Sequence, residues 1–168
     1  MTRLVLLEQL KERTGEAIGE LMLPVRPQSE QDKPALRAAE VHLMRLPDSR
    51  AAKKKAPYII HQAITGQDSQ TAGQMPEATA TVRSVFCVYD NDEERGAVSL
   101  LNLMERLRVD LLKFPVVGDQ FRLDLSQGLE TLIYPEDSAP YYMGEMVSVW
   151  KLPTIRREDD IHVCYQKH

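Results

Sequence analysis

The chain has 168 residues and a net charge of −4, and its 43% hydrophobic and 27% charged content are ordinary for a globular protein. This length allows one domain with a buried core, and no apolar run approaches a membrane span, so no membrane partner is expected. A mildly acidic chain is a poor candidate for wrapping nucleic acid over its whole surface, because that requires clustered lysine and arginine.

Residues 1–23 form a predicted N-terminal amphipathic helix. Thr2 is a suitable N-cap, because its hydroxyl can accept a hydrogen bond from a free amide of the first turn. Apolar residues recur at helical spacing, and Pro24 ends the pattern. The apolar stripe consists of Leu4, Leu7, Leu10, Ala17, Ile18 and Leu21.

The next part of the chain has little regular pattern. Residues 24–37 contain three prolines among polar residues and are predicted to be a linker or an extended crossing loop. A short apolar alternation over residues 38–46 predicts a strand. Residues 47–57 are polar and basic, which predicts an exposed loop.

Two strong strands follow, separated by a long polar segment. Residues 58–65 are β-branched and aromatic and are bounded by proline and glycine. Residues 79–89 are apolar on both faces, as in a central strand. Residues 66–78 between them are predicted to be a long mobile loop, and such loops are usually functional or disordered.

The best helix of the sequence comes directly after the acidic segment Asp90–Glu94. Carboxylates at this position stabilise the free amides and the dipole of the helix, so the segment is expected to cap it. Pro115 and Gly118 end the helix. Its apolar stripe is Leu100, Leu103, Met104, Leu107, Leu111 and Phe114.

The remaining pattern is that of strands and a charged tail. Apolar alternation predicts strands over residues 121–125, 129–134 and 142–152, and residues 154–168 form a charged C-terminal tail. We therefore predict a single α+β domain over residues 1–168, with its core at residues 38–153. A mostly antiparallel (mixed) sheet should carry the long helix on one face, with the N-terminal helix in addition. One core should include Phe86, Leu103, Leu107, Leu111 and Trp150.

The cysteines and the N-terminus favour a reducing compartment. Cys87 and Cys164 do not form a disulfide framework. The first apolar run is interrupted by Glu8 and Lys11, so it is not a signal peptide. We expect a protein made in a bacterial cytoplasm.

No pattern in the sequence favours an enzyme, and no catalytic or cofactor-binding residue and no cofactor is assigned. Glycine-rich phosphate loops and the nucleophile elbow are absent from the sequence. A calcium loop starting at Asp90 would need glycine and glutamate where Arg95 and Leu101 stand. Two histidine and cysteine groups lack the spacing of a zinc site, so no metal is expected. The two groups are His162, Cys164 and His168, and His42, His61 and Cys87.

Two polar segments are candidates for contacts with other molecules. The basic run of Arg50, Lys53, Lys54 and Lys55 either contacts DNA phosphates or, as we prefer, is a solvated loop that protects a sheet edge. The segment 66–76 contains one large apolar residue and cannot fold on its own. Its candidate contact residues are Gly66, Gln67, Asp68, Gln70, Gln74 and Met75.

The strand, acidic turn and helix over residues 82–107 resemble the tail terminator and tail-completion proteins of long-tailed bacteriophages. In that family an apolar strand ends in a Tyr-Asp-like turn and leads into a helix of the type leucine-leucine-asparagine-leucine, acidic, arginine. Here Tyr89-Asp90 and the run from Leu100 to Arg106 have that form. The upstream strand and the strand near residue 150 fit as well, so the likeness covers residues 40–155.

The resemblance implies a small α/β fold, a homo-oligomeric ring that is typically a hexamer, and no chemistry. Such a ring stops growth of the tail tube and offers a docking surface to the head. The implied partners are further copies of the chain, the tail tube protein and a head-completion or neck protein, with DNA passing through the ring as a further potential partner. The implied location is the head-proximal end of the tail, with assembly in the host cytoplasm. The segment 66–76 would then be mobile in the free subunit and ordered in the ring.

Three other interpretations remain open. The chain could be a tail-to-head joining protein of similar fold. It could be a small-molecule-binding or regulatory α+β domain, which would need a closed apolar pocket with convergent polar groups. An enzyme ranks third, because no catalytic pattern is present.

Overall fold

Two helices pack on one face of a seven-stranded sheet in this computed structural model, which describes residues 2–47, 50, 55–135 and 138–155. Within these ranges no helix is long and apolar enough to cross a membrane. The helices are α1 (Arg3–Ile18) and α2 (Glu93–Lys113). The strands are β1 (Leu23–Val25), β2 (Ala35–Arg37), β3 (Glu40–Leu43), β4 (Tyr58–Ser69), β5 (Glu77–Tyr89), β6 (Val116–Val117), β7 (Phe121–Leu123), β8 (Leu129–Ile133) and β9 (Tyr141–Leu152).

The sheet has the order β3-β4-β5-β9-β7-β6, and β8 pairs with β9 beside β7. The β3–β4 pair is parallel, and the other pairs are antiparallel. The predicted α+β class, with a mostly antiparallel sheet, a long helix on one face and an additional N-terminal helix, is confirmed. The predicted central strand is β5, which lies between β4 and β9.

A single buried cluster joins the helices to the sheet. Phe86, Leu103, Leu107, Leu111 and Trp150 all belong to it, as the sequence predicted. A second cluster includes residues on the other side of β5, because successive side chains of a strand point to opposite faces. Its members are Leu46, Ala56, Tyr58, Ile60, Cys87, Tyr89 and Tyr141.

The N-terminal helix is shorter than predicted and turned differently. The Thr2 hydroxyl accepts from the Val5 amide at 3.4 Å, which confirms the cap. The helix ends at Ile18 rather than near residue 23. Leu4 is 58% exposed while Leu6 is fully buried, so placing Leu4 in the core stripe was wrong. Leu4 fits a helical spacing with Leu7, and Leu6 fits one with Leu10, so only contact with the sheet selects the buried face.

The predicted linker over residues 24–37 is wrong, because its ends pair as an antiparallel hairpin. Leu23 lies opposite Arg37, and Val25 lies opposite Ala35. A proline is tolerated in a two-stranded ribbon, because one edge of each strand needs no amide donor. The Asp32 carboxylate accepts from two backbone amides of the connecting loop, and the Ser29 bonds are the main cause that lowers its pKa.

The predicted mobile loop over residues 66–78 is strand at both of its ends, which is a second correction. β4 continues to Ser69, β5 begins at Glu77, and these two residues lie opposite each other. An irregularity between Ala63 and Thr65 shifts the register of the pair. From Ile64 onward β4 is exposed, so it lacks the apolar alternation by which a strand is recognised in a sequence.

The long helix follows the prediction except at its end. Its predicted residues from Leu100 to Leu111 are buried. Phe114 is 56% exposed, because it follows the last helical residue and its backbone leaves the helical conformation. Including Phe114 in the core stripe was therefore wrong.

Candidate assembly surfaces

The distal half of the β4–β5 hairpin brings one group of predicted contact residues together. Gly66, Gln67 and Asp68 lie in β4, and Gln70, Gln74 and Met75 lie in or beside the connecting turn. Met75 is 83% exposed. β3 pairs with β4 only from Tyr58 to His61, so among the described residues the outer edge of β4 has no strand partner beyond that point.

Arg3 connects this hairpin to the first turn of α1. Its guanidinium donates to the Asp68 carboxylate at 3.1 Å. A side chain at Gly66 would overlap the Arg3 guanidinium, so glycine leaves the space that the arginine occupies. The ion pair is largely exposed, so its contribution to stability is small.

The basic segment lies at the other end of β4. Arg50 is exposed, and the Lys55 ammonium donates to the Pro47 carbonyl of its own loop. Lys53 and Lys54 lie outside the described residues. Because β4 has 12 residues, roughly 36 Å separates its two ends. The structure therefore does not bring the two groups of predicted contact residues together.

The acidic turn before α2 stabilises the helix in two ways. The Asp92 carboxylate accepts from the Arg95 amide at 2.8 Å, which confirms the predicted cap. Asp90 is 1% exposed and accepts from the Arg95 guanidinium at 2.6 and 2.7 Å. These bonds lower the pKa of Asp90 and hold it ionised. The sequence analysis missed this pair, although an aspartate five residues before an arginine at a helix start was visible.

We expect Asp92→Ala to destabilise the protein by about 1 kcal/mol, because it leaves a first-turn amide without its acceptor. Chemical denaturation would measure the change in the free energy of unfolding. The matched control is Glu94→Ala, which removes a first-turn carboxylate and leaves the cap in place. Equal losses for both variants would mean that charge near the helix end matters and the cap does not.

The histidines and cysteines within the described ranges do not converge on a metal-binding group. No cluster of three or more histidine, cysteine, aspartate or glutamate side chains is found there. His61 is fully buried, and its ring nitrogens lie 2.9 Å from the Thr14 hydroxyl and 2.7 Å from the Ser84 hydroxyl. It therefore has a structural role with both ring nitrogens satisfied. His162, Cys164 and His168 lie outside the described residues.

The acidic turn before α2 is expected to bind no metal ion, and this expectation can be tested. Because Arg95 already occupies both Asp90 oxygens, a cation would have to displace it. We expect no saturable heat when millimolar calcium or magnesium is titrated into the protein in a calorimeter. A stoichiometric isotherm would contradict this expectation.

A second apolar stripe, missed from the sequence, runs along the solvent face of α2. Its exposed fractions are 60% for Val98, 48% for Leu101, 39% for Val109 and 38% for Leu112. Between them Glu105 accepts a bidentate bond from Arg108 at 2.9 Å. A helix that is apolar on both sides is typical of one covered on both sides.

An open groove of about 560 Å³ lies between the β1–β2 hairpin and the start of α2. Its wall includes the exposed side chains of Met22 and Leu36, and Asp90 and Arg95 supply paired charges at its polar side. The small-molecule alternative requires a closed apolar pocket, and this groove is open to solvent.

No family model matches the chain, and no curated protein matches its sequence.

Proposed function

We propose that the chain is a structural subunit of a phage tail-completion ring, which ends tail-tube growth and presents a docking surface to the head. The resemblance that motivates the proposal is centred on residues 82–107. These residues form most of β5, the acidic turn and the first two thirds of α2, which lie at the centre of the fold. The proposed partners are further copies of the chain, the tail tube protein and a neck protein.

The observation that carries the proposal is the exposed distal half of the β4–β5 hairpin. A strand edge with unpaired amides and carbonyls is a site for pairing with another chain. The exposed residues Ile64–Ser69 contain neither proline nor lysine, the residues that commonly protect such edges. A contact between this edge and a different surface of the next copy would be head-to-tail, which is the type that closes into a ring.

The distal end of the β4–β5 hairpin and the segment before β4 carry opposite charges, which supports different roles for them. The distal hairpin carries Asp68 and Glu77, whereas the segment before β4 carries Arg50 and Lys55. In the proposed ring the hairpin contacts a neighbour or the tube, and the basic segment is available to DNA in the channel. Of the two basic side chains, Lys55 already bonds within its own loop.

The particle itself provides the first test. Native mass spectrometry combined with negative-stain electron microscopy should show a hollow ring, typically of six copies. A ring on isolated tails, before head attachment, would favour the terminator over a tail-to-head joining protein. A monomer that neither forms rings nor associates with the tube protein would contradict the proposal.

A shortened β4–β5 hairpin tests whether the exposed distal half is needed for assembly. Because Ser69 and Glu77 are directly opposite, an Asn-Gly turn can replace residues 70–76 without changing the register. We expect this variant to fold with an unchanged unfolding midpoint and to lose ring formation or tail completion. Met75→Ser is the milder companion, which removes the exposed apolar side chain and keeps the length. Full tail completion by the shortened variant would exclude an assembly role for the turn.

A further inference from the structure

The residues of the exposed stripe of α2 are spaced symmetrically about its centre. Its residues are Val98, Leu101, Glu105, Val109 and Leu112, separated by steps of 3, 4, 4 and 3. The order is the same in both directions from Glu105. At 100° per residue, all five positions lie within an 80° sector of the helix surface.

We propose that α2 pairs with α2 of a second copy in an antiparallel two-fold contact centred on Glu105. In such a contact residue i lies at the level of residue 210 − i of the other copy. Val98 of each copy then lies level with Leu112 of the other, and Leu101 lies level with Val109. A two-fold interface requires a surface that complements itself, and a symmetric apolar stripe meets that requirement.

The charges on the stripe fit the same arrangement. Glu105 and Arg108 already form a bidentate pair, and their side chains are 42% and 37% exposed. At the two-fold axis two such pairs meet, so each carboxylate has a guanidinium of either copy within reach. The centre of the contact therefore carries no net charge. The dipoles of two antiparallel helices also attract each other.

Two further charged side chains of α2, Asp110 and Arg95, are already paired within the subunit. Arg13 of α1 holds Asp110 at 2.7 Å, and Asp90 holds Arg95. Both pairs are satisfied within the subunit. A parallel pair would instead place Val98 beside Val98, and both carboxylates would again meet at residue 105, but the helix dipoles would then repel.

The contact is separate from the proposed ring. A two-fold interface closes at two copies, whereas a ring needs a head-to-tail contact. The inference therefore does not rest on the proposed function. It assigns a partner to the one long helix face that the fold leaves apolar and uncovered among the described residues.

Single-cysteine cross-linking distinguishes the possible pairings. The background is Cys164→Ser, and the remaining native thiol, Cys87, is buried. Glu105→Cys should give cross-linked dimers with a short bismaleimide. Val98→Cys alone and Leu112→Cys alone should not. In an antiparallel pair, residue 98 of one copy and residue 98 of the other are offset by 14 residues along the helix, roughly 21 Å, and the same holds for residue 112. An equimolar mixture of the two should give a dimer again.

An antiparallel pair, a parallel pair and the absence of a contact each give a different set of cross-links. Self-cross-linking of Val98→Cys would indicate a parallel pair, and the absence of cross-links both at residue 105 and in the mixture of Val98→Cys with Leu112→Cys would exclude the two-fold contact. Either result overturns the inference. Analytical ultracentrifugation gives an independent measurement, in which Leu101→Glu should weaken dimerisation at least tenfold. Leu36→Glu, at a leucine that is 63% exposed elsewhere, should leave it unchanged.

Discussion

Leu107→Ala is expected to lower the free energy of unfolding by about 2–5 kcal/mol. Leu107 is fully buried at the centre of α2, within the cluster that joins both helices to β5 and β9. Truncation removes apolar contacts and leaves a cavity between layers that can collapse only partly. Denaturant unfolding monitored by circular dichroism would measure the loss.

The matched control for Leu107 is the same substitution at an exposed leucine. Leu4→Ala removes the same atoms from α1 at a position that is 58% exposed, so it should change the stability by less than about 0.5 kcal/mol. If Leu107→Ala were as mild as Leu4→Ala, the buried face of α2 would be wrongly assigned.

The second large effect is a loss of stability in mild acid caused by His61. Burial lowers the pKa of His61 from 6.5 to about 3. The unfolded chain therefore binds a proton at this residue near pH 6.5, and the folded chain does so only near pH 3. The stability that the neutral His61 contributes is fully present above pH 6.5 and is lost progressively as the pH is lowered toward 3. Between pH 7 and pH 5 the loss from this residue is about 2 kcal/mol.

A His61→Gln variant isolates this contribution. Glutamine can bond to a hydroxyl but does not titrate, so the variant should be less stable at pH 7 and lose about 2 kcal/mol less between pH 7 and pH 5. Burial also lowers the pKa of His42, and that contribution has the same sign and remains in both proteins. Parallel stability curves for the two proteins would show that the folded and unfolded chains bind a proton at His61 with the same affinity, which would contradict the lowered pKa.

The sequence predicted the elements whose signals are local. The buried stripe of α2 repeats at helical spacing, and the Asp92 cap depends on an amide three residues away. β5 is apolar on both faces, which distinguished it as the central strand. These features follow from side-chain periodicity and backbone capping, and both are properties of neighbouring residues.

The candidate contact surface was predicted only in part. The sequence located the polar residues from Gly66 to Met75 but assigned them to a mobile loop. Backbone pairing with β5 makes the first four of them strand, and backbone pairing leaves no mark in side-chain polarity. The solvent stripe of α2 could have been read from the spacing of Val98 and Leu112, because both lie opposite the buried stripe.

The sequence by itself determined the α+β class, the long capped helix and the core residues that it contributes. Only the tertiary structure decided which leucine of α1 is buried, that β1 and β2 pair, and that His61 lies between Thr14 and Ser84. The partners of His61 lie 23 and 47 positions away along the chain, and the residues of β1 pair with residues 10 to 14 positions away. A local pattern fixes what a segment can become, and the partner that covers it fixes which face is buried.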